Sequence, residues 1–224
     1  MGMKYDGISV QNMRSSNMDG VLLKERLIGG RRVYLAVVCD GVGSMKNGVF
    51  ASATATELLS EWFNTVNERK SLGIRMLNVI ARINRIIVEE AEKNSLQTAS
   101  TLSALLMDES RYYIVHVGDS RIYGFRNGIL RQLTQDHTRG GRLTACIGKT
   151  ENVPFFYDEG TYTGDIFLLC SDGLYKKMEH NEIEKNLVGI KKNGLQKTIK
   201  QMVEFVIDQG ERDNISLAIL MKES

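Results

Sequence analysis

The feature that most limits the fold of this chain is a continuous apolar run over residues 33–39, which ends on Asp40 and Gly41. Valine is its commonest residue and no charged side chain interrupts it, so the run predicts a strand that is buried on both faces. A carboxylate directly after such a strand lies at the end of the sheet, where the strand leaves the core. Asp40 is therefore the first candidate functional residue.

Three more aspartates adjoin apolar, strand-like runs: Asp119, Asp172 and Asp213. A single aspartate at the end of a strand is most often a turn residue. If the ends of these strands meet, however, the carboxylates repel one another and some must hold a proton, unless a cation lies among them. Carboxylate oxygens suit hard divalent cations, so the pattern predicts a metal site.

Periodicity along the chain predicts strands, then two helices, further strands, a second helical region and a last strand. The strands at residues 21–28 and 32–39 are joined by Gly29 and Gly30, which can adopt the positive φ angles of a tight hairpin. The other predicted segments are helices at 55–66 and 77–91 and within 181–209, and strands at 8–10, 101–107, 112–117, 120–125, 130–133, 165–170 and 215–221. This order predicts an α+β fold with a largely antiparallel sheet, in a single domain over residues 1–224.

Charge and cysteine content bear on partners and location. The formal net charge of +2 comes from 29 basic and 27 acidic residues spread along the chain, without a basic block that would follow a phosphate backbone. We therefore expect no nucleic-acid partner. Cys39, Cys146 and Cys170 are an odd number of cysteines, and two of them lie in apolar runs, which is typical of buried thiols in a reducing compartment. No stretch is apolar enough to span a bilayer or act as a signal peptide, so we expect a cytoplasmic protein without a membrane partner.

Six short motifs occur in an order that resembles a known family. They are Asp40-Gly41-Val42-Gly43, Thr101, Gly118-Asp119-Ser120-Arg121, Asp136-His137-Thr138, Ser171-Asp172-Gly173-Leu174 and Asp213-Asn214-Ile215-Ser216, and a polar stretch with Arg14, Asn17 and Asp19 precedes them. In order and approximate spacing they resemble the motifs of the PP2C-type (PPM), metal-dependent protein serine/threonine phosphatases, bacterial members in particular. The resemblance spans nearly the whole chain. It implies a four-layer α/β-β/α sandwich, in which two mainly antiparallel sheets are flanked by helices.

The resemblance also implies a binuclear centre of Mn²⁺ or Mg²⁺ at one end of the sandwich. Its metal residues are then Asp19, Asp40, Gly41, Asp119, Asp172 and Asp213. By motif, Asp40 bridges the two ions and the Gly41 carbonyl binds one of them, while Asp172 and Asp213 hold the other. Asp119 resembles the family's ligand for a third, weaker ion, with Asp172 as a candidate second ligand. Oxygen donors of this kind suit both metals.

The reaction that this resemblance implies is the hydrolysis of phosphoserine and phosphothreonine in proteins. A water that bridges the two ions attacks phosphorus in line, without a covalent enzyme intermediate. Asp40 and Arg14 are the predicted catalytic residues, and Arg14 donates a forked pair of hydrogen bonds to the substrate phosphate. The expected partners are phosphorylated proteins, a cognate serine/threonine kinase and the targets of that kinase.

Three departures from the family pattern bear on activity. Met18, a poor ligand for a hard cation, precedes Asp19 where the family often has an acid or an amide, and Ser44 and Met45 stand where many bacterial members have glycine and histidine. If that histidine protonates the leaving group, this protein uses water or another group instead. The segment after His137 is also much shorter than the family's flap. We therefore expect a more open substrate site and an altered third-metal site.

The main alternative is a pseudo-phosphatase, a regulatory module that binds phosphoproteins and has lost the chemistry. Met18 and Met45 favour it, whereas the presence of Asp40, Asp172 and Asp213 does not. A thiol phosphatase is excluded because no cysteine is followed by arginine six positions later, and neither a P-loop nor a nucleophile elbow is present. A two-metal nuclease could use the same acids, but the chain lacks a basic face.

Three basic residues near the motifs have structural roles as their simpler interpretation. His116 stands between apolar neighbours, which favours a histidine of the core or sheet, and His137 follows Asp136 in a predicted turn. Arg121 is expected to brace Asp119 or a neighbouring loop through an ion pair rather than to bind phosphate.

Overall fold

The structure is a computed structural model that describes residues 2–109, 111–161 and 166–222. Its strands are β1 (Met3–Val10), β2 (Gly20–Ile28), β3 (Arg31–Cys39), β4 (Leu102–Asp108), β5 (Arg111–Val117), β6 (Arg121–Arg126), β7 (Ile129–Gln132), β8 (Thr138–Arg139), β9 (Arg142–Leu143), β10 (Phe156–Thr161), β11 (Ile166–Cys170) and β12 (Ile215–Lys222). Its helices are α1 (Gly48–Thr65), α2 (Leu72–Lys93), α3 (Asp172–Tyr175), α4 (His180–Asn193) and α5 (Leu195–Asp208). Asp165, the predicted first residue of one strand, lies outside the described residues.

The strands form two five-stranded sheets and one small hairpin. The first sheet has the order β10-β5-β4-β3-β2, the second has the order β1-β12-β11-β6-β7, and β8 pairs with β9. Neighbouring strands are antiparallel in both sheets. The predicted hairpin through Gly29 and Gly30 joins β2 to β3. The prediction of an α+β fold with two mainly antiparallel sheets is confirmed.

β3 shows why the central strands are apolar at every position. Val33, Leu35 and Val37 face a core that the first sheet shares with helices. Tyr34 and Val38 point the other way, into a core between the two sheets. Successive side chains of a strand alternate between its faces, so a strand inside a layered fold must be apolar on both. Each fully buried aliphatic side chain contributes about 1.5–3 kcal/mol to stability.

The helices cover the outer face of each sheet. Phe63 of α1 and Ile80 of α2 belong to the core of the first sheet, whereas Leu187 of α4 and Met202 of α5 belong to the core of the second sheet. Phe167 of β11 lies in the core between the sheets. The order of layers is therefore helices, sheet, sheet, helices, as the resemblance implied. Among the described residues, no helix combines the length and the apolar character that crossing a membrane requires.

Five elements differ from the predicted list of strands and helices. The strand predicted at residues 8–10 is the end of β1, which begins at Met3, and the strands β8, β9 and β10 and the one-turn helix α3 were not predicted. β1 and β10 are edge strands. They carry half-buried charged residues such as Asp6 and Asp158, because one side of an edge strand has no neighbour and tolerates polar residues. The apolar periodicity that reveals a central strand is therefore missing from both.

Candidate metal centre

Four residues from the predicted motifs lie close together at one end of the first sheet, where its strands begin or stop. The antiparallel registers place Cys39 opposite Gly20, Val38 opposite Ser103, and Leu102 opposite Val117. The residues just beyond these pairs are therefore neighbours at one end of the sheet. They are Asp19 before β2, Asp40 after β3, Thr101 before β4 and Asp119 after β5. Residues far apart in the sequence meet here because antiparallel pairing aligns the end of one strand with the start of the next.

The adjacent end of the second sheet carries the other two aspartates. Cys170 of β11 lies opposite both Arg121 of β6 and Leu217 of β12. Asp172, which follows β11, and Asp213, which precedes β12, therefore lie at the same end of this sheet. The turn that contains Asp119 connects β5 of the first sheet to β6 of the second, so these ends of the two sheets are covalently linked through this turn.

The ends of the two sheets border a cavity of about 460 Å³ at this end of the sandwich. Five of the six predicted metal residues line it: Asp40, Gly41, Asp119, Asp172 and Asp213. The sixth, Asp19, is not part of the cavity lining, and its Oδ2 atom is buried without a hydrogen-bond partner among the described residues. A buried carboxylate oxygen without a donor or a cation is costly to maintain.

Burial and mutual repulsion raise the pKa values of three carboxyl groups. Burial raises the pKa of Asp40 well above its usual value, and the charges of Asp19 and Asp172 raise it further. Burial likewise raises the pKa of Asp19 to about 6. For Asp119, burial and then the charge of Asp172 raise the pKa to about 6. A cation between these groups would favour their ionised forms and lower all three pKa values.

The remaining two carboxylates are each paired with a cation of the chain. Arg14 donates from Nε to Oδ1 of Asp213 at 2.8 Å and from Nη2 to Oδ2 at 2.7 Å. Although burial raises the pKa of Asp213, the hydrogen bonds from Arg14 hold it below its usual value. The Lys176 ammonium forms an ion pair with Asp172, four residues before it. Sequence reasoning missed Lys176, and the (i, i+4) spacing of Asp and Lys is the signal that could have found it.

The donor chemistry at this cavity fits Mn²⁺ or Mg²⁺. Over residues 2–109, 111–161 and 166–222, no three His, Cys, Asp or Glu side chains are arranged as a complete ligand set. Asp172 and Asp213 instead pair with Lys176 and Arg14. Both metals nevertheless prefer oxygen donors and keep several waters, so they need few protein ligands. The unpartnered oxygen of Asp19 and the raised pKa of Asp40 are the features that a cation would relieve.

Thr101 holds the main chain of Asp40 in place. The N–H of Asp40 donates to Thr101 Oγ1 at 2.9 Å, and the N–H of Thr101 donates to the carbonyl of Asp40 at 2.9 Å. Thr101 Oγ1 in turn lies 2.6 Å from Ser120 Oγ, next to Asp119. The buried hydroxyls thus link the two strand ends that carry Asp40 and Asp119, which gives the threonine of the motif a physical role.

Gly41 and Met18 are packed against each other. A Cβ atom on Gly41 would lie 2.7 Å from the Met18 carbonyl oxygen, so no other residue fits here without a shift. That oxygen accepts hydrogen bonds from the N–H of Gly41 at 3.2 Å and from Ser52 Oγ at 2.6 Å. The side chain of Met18 lies beside Gly48, since a Cβ atom there would be 3.0 Å from its sulfur. Met18 therefore packs beside the strand end that carries Asp40.

Asn214 orders the loop that carries Arg14 and Asp19. Its Nδ2 donates to the carbonyl of Gln11 at 2.8 Å, and its Oδ1 accepts from the N–H of Met18 at 2.9 Å. Sequence reasoning took Asn214 only as a member of a motif. Its contacts join positions about 200 residues apart, which no local pattern reveals.

The basic residues near the motifs have the structural roles that the sequence favoured. His116 is fully buried, with Nδ1 2.9 Å from Ser103 Oγ and Nε2 3.1 Å from the carbonyl of Gln135. The ring of His137 stacks on it at a centroid distance of 5.3 Å. Arg121 forms its ion pair with Asp136, and so braces the neighbouring loop rather than Asp119.

The segment in place of the family's flap is the short hairpin of β8 and β9. Its strands are two residues long each, and Gly140 and Gly141 form the turn with φ angles of +58° and +73°. Gly141, Arg142 and Leu143 line the same cavity as Asp40. The hairpin therefore contributes to the cavity wall.

Comparisons with known sequences agree with this geometry. The sequence profile of the family Protein phosphatase 2C matches residues 26–218. The chain is 29% identical over 221 residues to the serine/threonine phosphatase stp of Listeria monocytogenes, covering 84% of each chain. It is also 29% identical over 238 residues to the protein phosphatase PhpP of Streptococcus pneumoniae, covering 94% of each chain.

Solved structures share the four-layer fold. The serine/threonine phosphatase Stp1 from Staphylococcus aureus superposes with a TM-score of 0.90 at 24% identity, over 100% of this chain and 96% of that one. The catalytic domain of the phosphatase PstP, solved in complex with two manganese ions, superposes with a TM-score of 0.81 at 23% identity, over 98% of this chain and 97% of that one. The order of sheets and helices described above is thus an architecture already seen in experimental structures.

Proposed function

The chain belongs to the protein phosphatase 2C family, and on that premise we propose that it is a metal-dependent protein serine/threonine phosphatase. The observation that carries this proposal is that strand ends from both sheets meet at one cavity, which is lined by Asp40, Asp119, Asp172 and Asp213. A cation at this cavity would favour the ionised forms of Asp40 and Asp119, whose pKa values burial and neighbouring carboxylates raise. Hydrolysis of a phosphate monoester is the chemistry for which the family uses such a centre.

Two ions are proposed to bind at Asp19, Asp40, Gly41, Asp172 and Asp213. Mn²⁺ is the ion in the PstP structure, and Mg²⁺ has the same preference for oxygen donors. When bound, the ions supply an activated water and stabilise the charge that develops on the phosphoryl oxygens. The chain contributes the positions of the donors, since Thr101 fixes the main chain of Asp40 and Asn214 fixes the loop of Asp19.

Arg14 is proposed to exchange one anionic partner for another. Its guanidinium forks onto both carboxylate oxygens of Asp213, at 2.8 and 2.7 Å. A cation held by Asp213 competes for those same oxygens and frees the guanidinium. The freed group has the planar geometry that donates two hydrogen bonds to a phosphoryl group. We therefore infer that Arg14 binds the substrate phosphate in the metal-loaded protein.

A third, weaker ion is proposed at Asp119 and Asp172, where Lys176 competes with it. The ammonium of Lys176 forms an ion pair with Asp172. Although burial lowers the pKa of Lys176, the hydrogen bond and charge of Asp172 raise it above its usual value, so the side chain stays charged. A cation that enters this position must share Asp172 with that charge. This ion should therefore bind less tightly than the other two.

The substrates are phosphorylated proteins, and a serine/threonine kinase with its targets forms the proposed cellular context. Cys39, Cys146 and Cys170 are free and buried, which suits the reducing cytoplasm. We propose that residues 1–224 act as one domain, because the two sheets share a continuous central core. Five of the six predicted metal residues line one cavity, which favours catalysis over the alternative of a binding module without it.

The proposal is tested by measuring hydrolysis of a phosphothreonine peptide and of p-nitrophenyl phosphate with Mn²⁺, with Mg²⁺ and with a chelator. We expect turnover that depends on the metal and that falls by about three orders of magnitude or more in Asp40→Asn, since a loss of about 4 kcal/mol of transition-state stabilisation has that effect. Wild-type turnover that persists in chelator would contradict metal dependence. Absence of turnover with every metal, in a folded protein, would favour the pseudo-phosphatase.

A further inference from the structure

The wall of the cavity next to Asp40 is a basic segment that is fixed at both of its ends. The N–H of His137 donates to the carbonyl of Gly118 at 2.7 Å, and the N–H of Thr144 donates to the carbonyl of His137 at 2.8 Å. At the other end, Ile147 and Ser100 exchange two backbone hydrogen bonds of 3.1 and 2.9 Å. Residues 137–147 therefore run from the strand end that carries Asp119 toward the strand end that carries Asp40.

The second anchor also fixes the residue that follows it. Ser100 bridges both Ile147 and Gly41, so the three segments lie side by side at the end of the sheet. Gly148 has a φ of +84°, and its N–H donates to the buried side chain of Asn84 at 2.8 Å. Lys149 follows directly and lines the cavity. Its backbone is thus held by the core of the protein.

Arg142 and Lys149 present positive charge to this cavity without an anionic partner of their own. Both are exposed and both line the cavity. In the part of the chain that the structure describes, neither forms an ion pair or a side-chain hydrogen bond. Arg142 also lies directly opposite Arg139 in the hairpin of β8 and β9. Like charges in a cross-strand pair are destabilising, so this pair costs stability unless an anion binds nearby.

These charges take no part in the ion pairs of the metal centre. Arg14 and Lys176 pair with Asp213 and Asp172, whereas Arg142 and Lys149 pair with none of the centre's carboxylates among the described residues. The reacting phosphoryl group already has Arg14 and the ions as partners under the proposed function. Arg142 and Lys149 line the same cavity as the metal residues. Their positive charge is therefore available for parts of the substrate next to the phosphorylated residue.

We propose that Arg142 and Lys149 select phosphoproteins that carry an anionic group close to the phosphorylated serine or threonine. This inference rests on the proposed phosphatase function and adds a substrate class to it. The anionic group is either a carboxylate of a neighbouring Asp or Glu or the phosphate of a second modified residue. Complementary charge of this kind changes substrate affinity and rate of encounter, and it disfavours substrates with basic flanks.

The test compares phosphothreonine peptides that differ only in their flanking residues, with neutral, glutamate, phosphoserine or lysine flanks. We expect the metal-loaded wild type to favour the glutamate peptide over the neutral one by about fivefold or more in kcat/KM, with the difference mainly in KM. Arg142→Gln and Lys149→Gln should each reduce this ratio, and the double variant should bring it near unity. Arg142→Glu should shift the preference toward lysine flanks. The glutamate and phosphoserine arms show which of the two anions is preferred.

Arg139→Gln is the matched control, because Arg139 lies in the same hairpin and does not line the cavity. It should leave the ratio unchanged. Equal turnover of neutral and acidic peptides by the wild type would overturn the inference, and so would an equal loss on p-nitrophenyl phosphate, which has no flanks. Wild-type turnover of p-nitrophenyl phosphate tests the phosphatase function separately. If that turnover is absent, anisotropy of labelled peptides with the metal-loaded protein still measures the preference, and equal affinities would overturn it.

Discussion

Two aspartates close neighbouring strands of the first sheet at its opposite ends, and their surroundings differ. Asp108 ends β4, is only 5% exposed, and accepts hydrogen bonds of 2.9 and 3.0 Å from Arg69 Nε on its two oxygens. Asp40 follows β3 at the other end of the sheet. No cation of the described residues forms an ion pair with it, and burial together with neighbouring carboxylates raises its pKa well above its usual value.

The difference shows how the same residue type at the same kind of position acquires two roles. Where the fold supplies a counter-charge, as Arg69 does, the aspartate completes the structure. Where the fold supplies further carboxylates instead, the site carries an electrostatic cost that either protonation or a bound cation relieves. Asp40 belongs to the second kind because two sheets end in aspartates at the same place, whereas Asp108 faces one arginine.

Replacing each of these aspartates with asparagine should change stability in opposite directions. Asp108→Asn leaves the half-buried Arg69 without its carboxylate, so we expect a loss of about 3 kcal/mol in the free energy of unfolding. Asp40→Asn removes a charge that is poorly compensated, so the metal-free protein should gain stability. Urea unfolding of both variants in the presence of chelator measures the two free energies. A loss of stability in both would break the comparison.

The stability of the metal-free protein should fall as the pH rises from about 4 to about 6. Burial raises the pKa of Asp19 to about 6, whereas aspartates of an unfolded chain ionise near about 4. In this window the folded state binds more protons than the unfolded state, so the free energy of unfolding decreases with rising pH. The contribution of Asp19 is on the order of 3 kcal/mol.

Thermal unfolding between pH 4 and pH 7 measures this contribution when the wild type is compared with Asp19→Asn. The wild type in chelator should lose stability relative to the variant as the pH rises. In the presence of Mn²⁺, this loss of wild-type stability with rising pH should disappear. A difference between the two proteins that does not change with pH would show that the Asp19 carboxyl group ionises normally.

Lys176→Gln should give the smallest effect, a gain of about threefold to tenfold in Mn²⁺ affinity at the weakest site. The side chain of Lys176 is 57% exposed, so solvent screens its charge and limits the gain. Lys177→Gln is the matched control, since Lys177 is exposed and does not line the cavity. Calorimetric titration with Mn²⁺ compares the three proteins. Equal gains in both variants would point to overall charge rather than to the contact with Asp172.

Part of this fold could be predicted because its signals are local. β3 is apolar on both faces, and Gly29 and Gly30 mark the turn before it, so its type, its bounds and the position of Asp40 follow from one short stretch. β1 and β10 could not be predicted in the same way, because an edge strand needs burial on fewer sides. The two sheets and the layers were expected from the order of elements and from the family resemblance.

The candidate site was predictable as a set of residues and not as a set of contacts. Aspartates at the ends of apolar strands identify Asp40, Asp172 and Asp213, while the order of motifs added Arg14 and Asp19. The fork of Arg14 on Asp213 joins residues 199 positions apart, and its existence depends on which loops meet at the end of the sandwich. The roles of these residues in metal and phosphate binding stay predictions.

The most direct test of the central claim is a calorimetric titration of the metal-free protein with Mn²⁺ near pH 6, repeated in two buffers with different ionisation enthalpies. If uncompensated carboxyl groups form the site, two ions should bind tightly and release protons, because ligands that are partly protonated must ionise to accept the metal. Asp40→Asn should lose both the tight binding and the proton release. Binding of Mn²⁺ without proton release, or binding that Asp40→Asn leaves intact, would contradict the account of a metal centre built on carboxyl groups that the fold leaves without a counter-charge.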